Sequence, residues 1–167
     1  MTLTRTLTGL AVTAALVALV PAAAQAAAGP SDTAAATSSA SASHWGTYYA
    51  PGHRAKTFGS LSARGEDHDV IPTADTVRIS GKVYDLTRRS SSCGLAVFRI
   101  TYRDHAGKLP FKHRTITDCS YGTAKPYSFS YHDVYEVELK VCSEAKAAKP
   151  SLNCLYAGTW KVLYLSK

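Results

Sequence analysis

The 167-residue chain is 46% apolar and 19% charged, the size and composition of one globular folding unit. Its 11 Gly and 7 Pro follow no period, which excludes collagen-like, coiled-coil and wholly disordered classes. A formal net charge of +7 makes the chain basic, and such a charge serves solubility as readily as it serves an anionic partner.

Residues 1–26 read as a secretory signal peptide. Arg5 precedes an apolar stretch from Leu7 to Val20, Pro21 breaks it, and Ala22 to Ala28 offers small-residue cleavage sites, with cleavage expected after Ala26. The stretch, about 14 residues, falls short of the roughly 20 that a spanning helix needs, and no later segment is apolar enough to cross a membrane. No cysteine near the cleavage point is placed to carry lipid. The expectation is a secreted, extracellular protein with no membrane span. Residues 27–43 carry only small and polar side chains, which bury too little surface to offset ordering entropy, so a disordered Ala/Ser/Thr-rich leader is expected. The folded domain is then 44–167.

That domain opens with two weak strands, Trp45 to Ala50 and Phe58 to Arg64. Between the second and the next strand lies Glu66-Asp67-His68-Asp69, whose oxygen and imidazole groups suit a weak cation site. The run lacks the D-x-D-x-D-G spacing of calcium loops, and a solvated acidic turn is the favoured reading. From Thr76 the pattern has period two: Val77, Ile79 and Val83 alternate with Arg78, Ser80 and Lys82, as in a strand with one buried face. Leu95 to Arg103 and Leu109 to Thr117 are rich in β-branched and aromatic residues. Asp104 to Lys108 separates them as a hairpin turn, with Gly107 supplying a positive φ. Tyr127 to Tyr131 reads as a further strand. In the next, Tyr135, Val137, Leu139 and Val141 point one way while Glu136, Glu138 and Lys140 point the other. Ser143 to Lys149 has helical composition ended by Pro150. Leu155 to Leu165 carries Trp160, Val162 and Tyr164 at alternate positions and reads as the final strand.

Four cysteines, Cys93, Cys119, Cys142 and Cys154, predict two disulfides in an oxidising compartment, with three pairings open. No C-x-x-C occurs, which disfavours metal or redox use. The hairpin about Gly107 brings Cys93 opposite Cys119, and Cys142–Cys154 follows by elimination. Matching Phe98, Ile100 and Tyr102 with Thr115, His113 and Phe111 needs a register one residue away, so a bulge or loose strand end is expected in this hairpin.

These elements predict an all-β fold, an antiparallel two-sheet sandwich of about seven strands stapled by two disulfides; a small barrel is the alternative. Asp133 to Cys142 resembles the penultimate strand of immunoglobulin-like sandwiches, with Tyr135 near the strand start. That Tyr stands seven residues before the Cys rather than two, so the resemblance covers one strand and implies a sandwich, not an immunoglobulin domain. The alanine-rich signal, Ser/Thr/Ala leader and compact two-disulfide β domain together resemble small secreted proteins of high-GC Gram-positive bacteria. That resemblance implies export and transfers no catalytic residue.

The chemistry-bearing groups are few. Arg88-Arg89, and Lys108, Lys112 and Arg114 on one hairpin arm, suit phosphate or carboxylate contacts. Trp45, Tyr48 and Tyr49 supply rings that stack on sugars when they are not core. Beyond residue 26 the only amide side chain is Asn153, which weighs against sugar recognition. There is no G-x-S-x-G, H-E-x-x-H or phosphate-binding glycine loop, so no catalytic residue, metal ligand or cofactor is assigned. The expected function is a non-catalytic extracellular binding or surface-associated protein, its partner an anionic cell-wall polymer or an extracellular protein, with nucleic acid disfavoured. The alternatives are a secreted hydrolase assembled from distant His, Asp and Ser residues, such as His132-Asp133, and a protease inhibitor presenting the 143–153 loop.

Overall fold

The computed structural model describes residues 42–89 and 91–167. The expected signal peptide and residues 27–41 of the expected leader lie outside them. Seven antiparallel strands form one sheet: β1 (Ser43–Tyr49), β2 (Ala55–Glu66), β3 (Ala74–Asp85), β4 (Ser92–Tyr102), β5 (Phe111–Asp118), β6 (Ala124–Ala145) and β7 (Lys161–Leu165). A short helix, α1 (Leu152–Tyr156), precedes β7.

The strand order is β1-β2-β3-β6-β4-β5, with β7 also against β6. β6 holds both layers because its two halves pair with different partners. Ala124 to Val134 pairs with β3, and Val134 to Ala145 pairs with β4. Between the halves Asp133 has φ 53°, a left-handed conformation that Asp tolerates better than most residues. Next to it the β4 register shifts between Thr101 and Tyr102. A positive-φ residue beside a bulge bends a strand round a sheet corner. The two segments Tyr127 to Tyr131 and Tyr135 to Val141 are therefore one 22-residue strand, and the layers of the sandwich are halves of a single folded sheet.

The core fills the fold. Val77, Ile79 and Val83 of β3 meet Ala96, Phe98 and Ile100 of β4 and Val137 and Leu139 of β6, all buried. At the centre, Gly59 and Gly81 lie opposite each other, flanked across the strands by Trp45 and Tyr127. With no side chains on the glycines, both rings lie over them, an arrangement that restores the packing a strand glycine lacks. Phe98 meets the rings edge-on, 6.2 Å from Trp45 and 5.6 Å from Tyr127. Tyr127 donates to or accepts from Thr57 Oγ1 at 2.9 Å, and burial pushes its phenol up to about 12.

Both disulfides have the expected pairing, Cys93–Cys119 and Cys142–Cys154. The hairpin turn is also as expected: Gly107 has φ 72°, and the Asp104 carboxylate accepts from Ala106 N and Lys108 N at 2.9 and 2.8 Å. The expected bulge in this hairpin is absent. The β4–β5 register runs unbroken from Gly94 opposite Asp118 to Thr101 opposite Phe111, placing Phe98 opposite Arg114 and Ile100 opposite Lys112. β5 is an edge strand largely exposed over its first half, so its residues obey no core alternation. Phe111 and His113 instead join Trp160 on the outer face, His113 stacking on Trp160 at 5.7 Å.

The segment after Cys142 also departs from its expected course. Ser143 to Lys149 forms no helix: β6 continues to Ala145, and the helix begins only beyond Pro150. Ser151 caps it, its Oγ accepting from Cys154 N at 3.0 Å, so the preferred cap residue sets the start rather than the alanine-rich run before it. Leu155 and Tyr156 are consequently helical, and the last strand is only Lys161–Leu165.

Candidate functional site

A groove of about 680 Å³ runs between the end of β1 and the segment around α1, with β6 as its floor. Tyr48, Tyr49, His53 and Arg54 form one wall, Leu139 to Glu144 the floor, and Asn153, Cys154 and Lys161 the other wall. It adjoins a depression of about 470 Å³ lined by Arg54, Thr87, Arg88, Arg89 and Ser92, the two sharing Arg54, Ser143 and Glu144.

Local chemistry explains each position. The Pro51-Gly52 turn closes β1 onto β2 through Ala50 N to Ala55 O and His53 N to Ala50 O, both 2.9 Å. That turn stacks His53 on Tyr49 at 4.6 Å. Leu86 N donates to Arg54 O at 2.9 Å, which brings the β1–β2 turn beside the chain leaving β3. There the buried Asp85 carboxylate accepts from Thr87 N and Thr87 Oγ1 at 2.8 and 2.7 Å, an Asx-type turn that directs Arg88 and Arg89 outward. Arg88 donates from Nε to Tyr121 Oη at 3.2 Å and lies over that ring, a contact that raises its own pKa further. Arg54, Arg88 and Arg89 are exposed and form no ion pair among the described residues. The nearest carboxylate lining the groove, Glu144, is occupied by Ser151, accepting from its N at 2.9 Å and from its hydroxyl. The groove therefore presents an aromatic wall leading, through Arg54, to the adjoining depression of Arg88 and Arg89, where three cations face the single carboxylate of Glu144; guanidinium is a group suited to pairing with carboxylate or phosphate through parallel N–H donors.

Of the residues singled out in the sequence, the fold gathers Tyr48, Tyr49, Arg88 and Arg89 here. Trp45 is not among them, being turned into the core against Phe98. Lys112 and Arg114 lie elsewhere on β5, each with its charge over a ring, Tyr102 at 4.6 Å and Phe129 at 5.5 Å; long basic side chains cover apolar rims in this way. Arg54, His53 and Lys161 went unread because isolated basic residues carry no sequence pattern. Pro51-Gly52, a turn-forming pair, is the one sequence signal that could have placed His53 and Arg54.

The acidic run is a structural clasp. Both oxygens of Asp67 are engaged, one by Thr73 N at 2.9 Å and the other by Thr73 Oγ1 and Arg103. These bonds, led by the Thr73 amide, hold the Asp67 carboxyl well below the usual carboxylate range. Arg103 also bonds Asp69 and Ile71 O, and no group of three potential ligands is disposed to hold a metal among the described residues. His132 Nδ1 sits 2.9 Å from Asp75 O and 3.2 Å from Thr76 Oγ1. No histidine among the described residues forms an ion pair with a carboxylate. The 143–153 loop is fastened to its own domain by Glu144–Ser151, Lys146 N to Ser91 O and the Cys142–Cys154 bridge, and its end forms a groove wall.

A second polar cluster sits on the outer face of β4 and β6. Arg99 Nε donates to Glu138 Oε2 at 2.5 Å and its guanidinium lies 4.7 Å from the Trp160 ring. Lys140 Nζ donates to Leu155 O at 3.1 Å and Ala157 O at 2.8 Å. Burial, with Arg99 nearby, lowers the pKa of both His113 and Lys140, while burial and Glu138 raise that of Glu136. These residues carry the α1 segment on the sheet.

The chain matches no family model, and neither a curated protein nor a solved structure matches it.

Proposed function

We propose that the protein is a non-catalytic extracellular binding protein that holds an anionic partner in the groove between β1 and β6. Two disulfides suit an oxidising compartment, and no described helix is long and apolar enough to cross a membrane. The observation that carries the reading is the convergence of Arg54, Arg88 and Arg89 at the end of a groove walled by Tyr48 and Tyr49. Guanidinium groups that form no internal ion pair keep their charge available, and guanidinium is more weakly hydrated than ammonium, so a carboxylate or phosphate displaces its water at a lower cost than it would at lysine. An anionic cell-wall polymer and an acidic extracellular protein both have the charge that such a site selects, and the polymer serves as the first probe.

The test is binding of the oxidised chain to isolated anionic wall polymer across a salt series. Affinity is expected to fall steeply between about 50 and about 200 mM salt, and the triple substitution Arg54→Ala, Arg88→Ala, Arg89→Ala to weaken it by more than about tenfold and flatten the salt dependence. Binding indifferent to salt and to the triple substitution rejects the reading.

A further inference from the structure

We propose that the groove's occupant is an extended acidic segment of another protein, which adds as a strand to the open edge of β6. The proposal rests on the anion-binding reading for the end of the groove at Arg54, Arg88 and Arg89, and goes beyond it in assigning the floor.

On one side, the second half of β6 is paired with β4 as far as Ala145. On the other, β7 covers only Glu136 to Leu139, and among the described residues no strand lies against residues 140–145. Main-chain N–H and C=O groups of a strand alternate between its two edges, so part of this stretch presents donors and acceptors toward the groove. Such edges are ordinarily blunted by lysine, proline or a covering segment. Here Val141, Cys142 and Ser143 carry no charge, the Lys140 ammonium is turned onto the carbonyls of Leu155 and Ala157, and the one carboxylate of the stretch, Glu144, is bonded back to Ser151. Lys140, Val141 and Cys142 are buried and α1 is tied to β6 by the Cys142–Cys154 bridge, so the approach to this edge is the groove itself, with β1 as one wall and the α1 segment as the other.

An extended chain laid there continues the line of β7, whose Lys161 pairs with Leu139. It finds β1 beyond it, itself a terminal strand of the sheet. Five residues of strand span about 17 Å, a repeat of amide groups that a polysaccharide or polyphosphate does not offer. Charge sets the side chains. Lys161 stands at the Leu139 end and the arginines at the Ala145 end, so acidic residues flanking a short uncharged stretch fit the groove, in the manner of strand addition to a sheet edge.

The experiment titrates the oxidised chain with a pool of peptides of about nine residues, with alternating Thr and Val at the centre and Asp or Glu at both ends. The same peptides N-methylated at every second amide, and polyphosphate, complete the set. The unmethylated peptides are expected to bind more than about tenfold tighter than the methylated ones and to slow amide exchange at residues 140–145. Ser143→Lys, which places a lysine on the edge, is expected to abolish peptide binding while polyphosphate binding persists. Equal binding of methylated and unmethylated peptides, or no protection at 140–145, overturns strand addition. If polyphosphate then still binds through the arginines, the anion reading survives alone; if neither probe binds, both fall.

Discussion

A methyl group added at Gly94 would lie 2.7 Å from Tyr84 O and 2.9 Å from the Ala55 side chain, because β4 lies directly against the ends of β2 and β3 there. The neighbours are backbone and a core methyl, which cannot turn aside, so Gly94→Ala is expected to lower stability by about 2 kcal/mol, read from denaturant unfolding; an unchanged midpoint would show that the layers are looser than this. Asp67 tests a different force. Its carboxyl is held below its ordinary value of 3.8 by the Thr73 hydrogen bonds. A group depressed in the folded state stabilises it fully above the unfolded pKa and loses that contribution as the pH falls through the folded one. The melting-temperature advantage of the natural chain over Asp67→Asn is therefore expected at neutral pH and to shrink below about pH 4. A gap constant down to strong acid would mean that the clasp does not depend on ionisation.

The segment from Ser143 to Thr159 is held by few contacts, and each can be removed singly. The Cys142–Cys154 bridge spans 12 positions, and its loss in Cys142→Ala, Cys154→Ala is expected to cost about 3 kcal/mol in the chain-entropy account, measured as a shift in denaturant midpoint. Lys140 is nearly buried and satisfies the carbonyls that end α1. Lys140→Met keeps the stem over Trp160 but leaves those acceptors bare, at an expected cost of about 2 kcal/mol; a neutral result would place water on them. This segment also shows where sequence reading stopped. The alternation of Val137 and Leu139 against Glu136, Glu138 and Lys140 was legible from period two, yet Glu138 and Lys140 are buried with the core residues. Alternation reports which face a side chain is on, whereas the cover over that face comes from a fold-back decided by a cap at Ser151 and a disulfide. The groove was half legible for the same reason. Adjacent pairs such as Tyr48-Tyr49 and Arg88-Arg89 announce themselves, while Arg54 joins them only through a main-chain bond to Leu86.

At the scale of the whole molecule, the controlling feature is that one strand belongs to both layers. A sandwich of two separate sheets can lose one layer's hydrogen bonds while the other persists, but here the β3 and β4 ladders share β6, and Val134 pairs with both. Phe98 adds the packing counterpart, projecting from β4 onto Trp45, Tyr127 and Phe129 of the opposite half. Opening either ladder unseats β6 or strips Phe98 of its neighbours, so the two halves are expected to unfold as one cooperative unit. Native-state hydrogen exchange should then give the same opening free energy for central amides of β3, such as Ile79, and of β4, such as Phe98. Amides of the edge strands β1 and β5 should exchange through smaller, local openings. The corner supplies the matching perturbation. Asp133→Val forces a β-branched residue into a left-handed conformation, at a cost of about 1 to 2 kcal/mol, whereas Asp133→Gly relieves it. If the halves are coupled through β6, the valine variant lowers the exchange stability of β3 and β4 by equal amounts; a loss confined to one of them would mean that the layers fold independently.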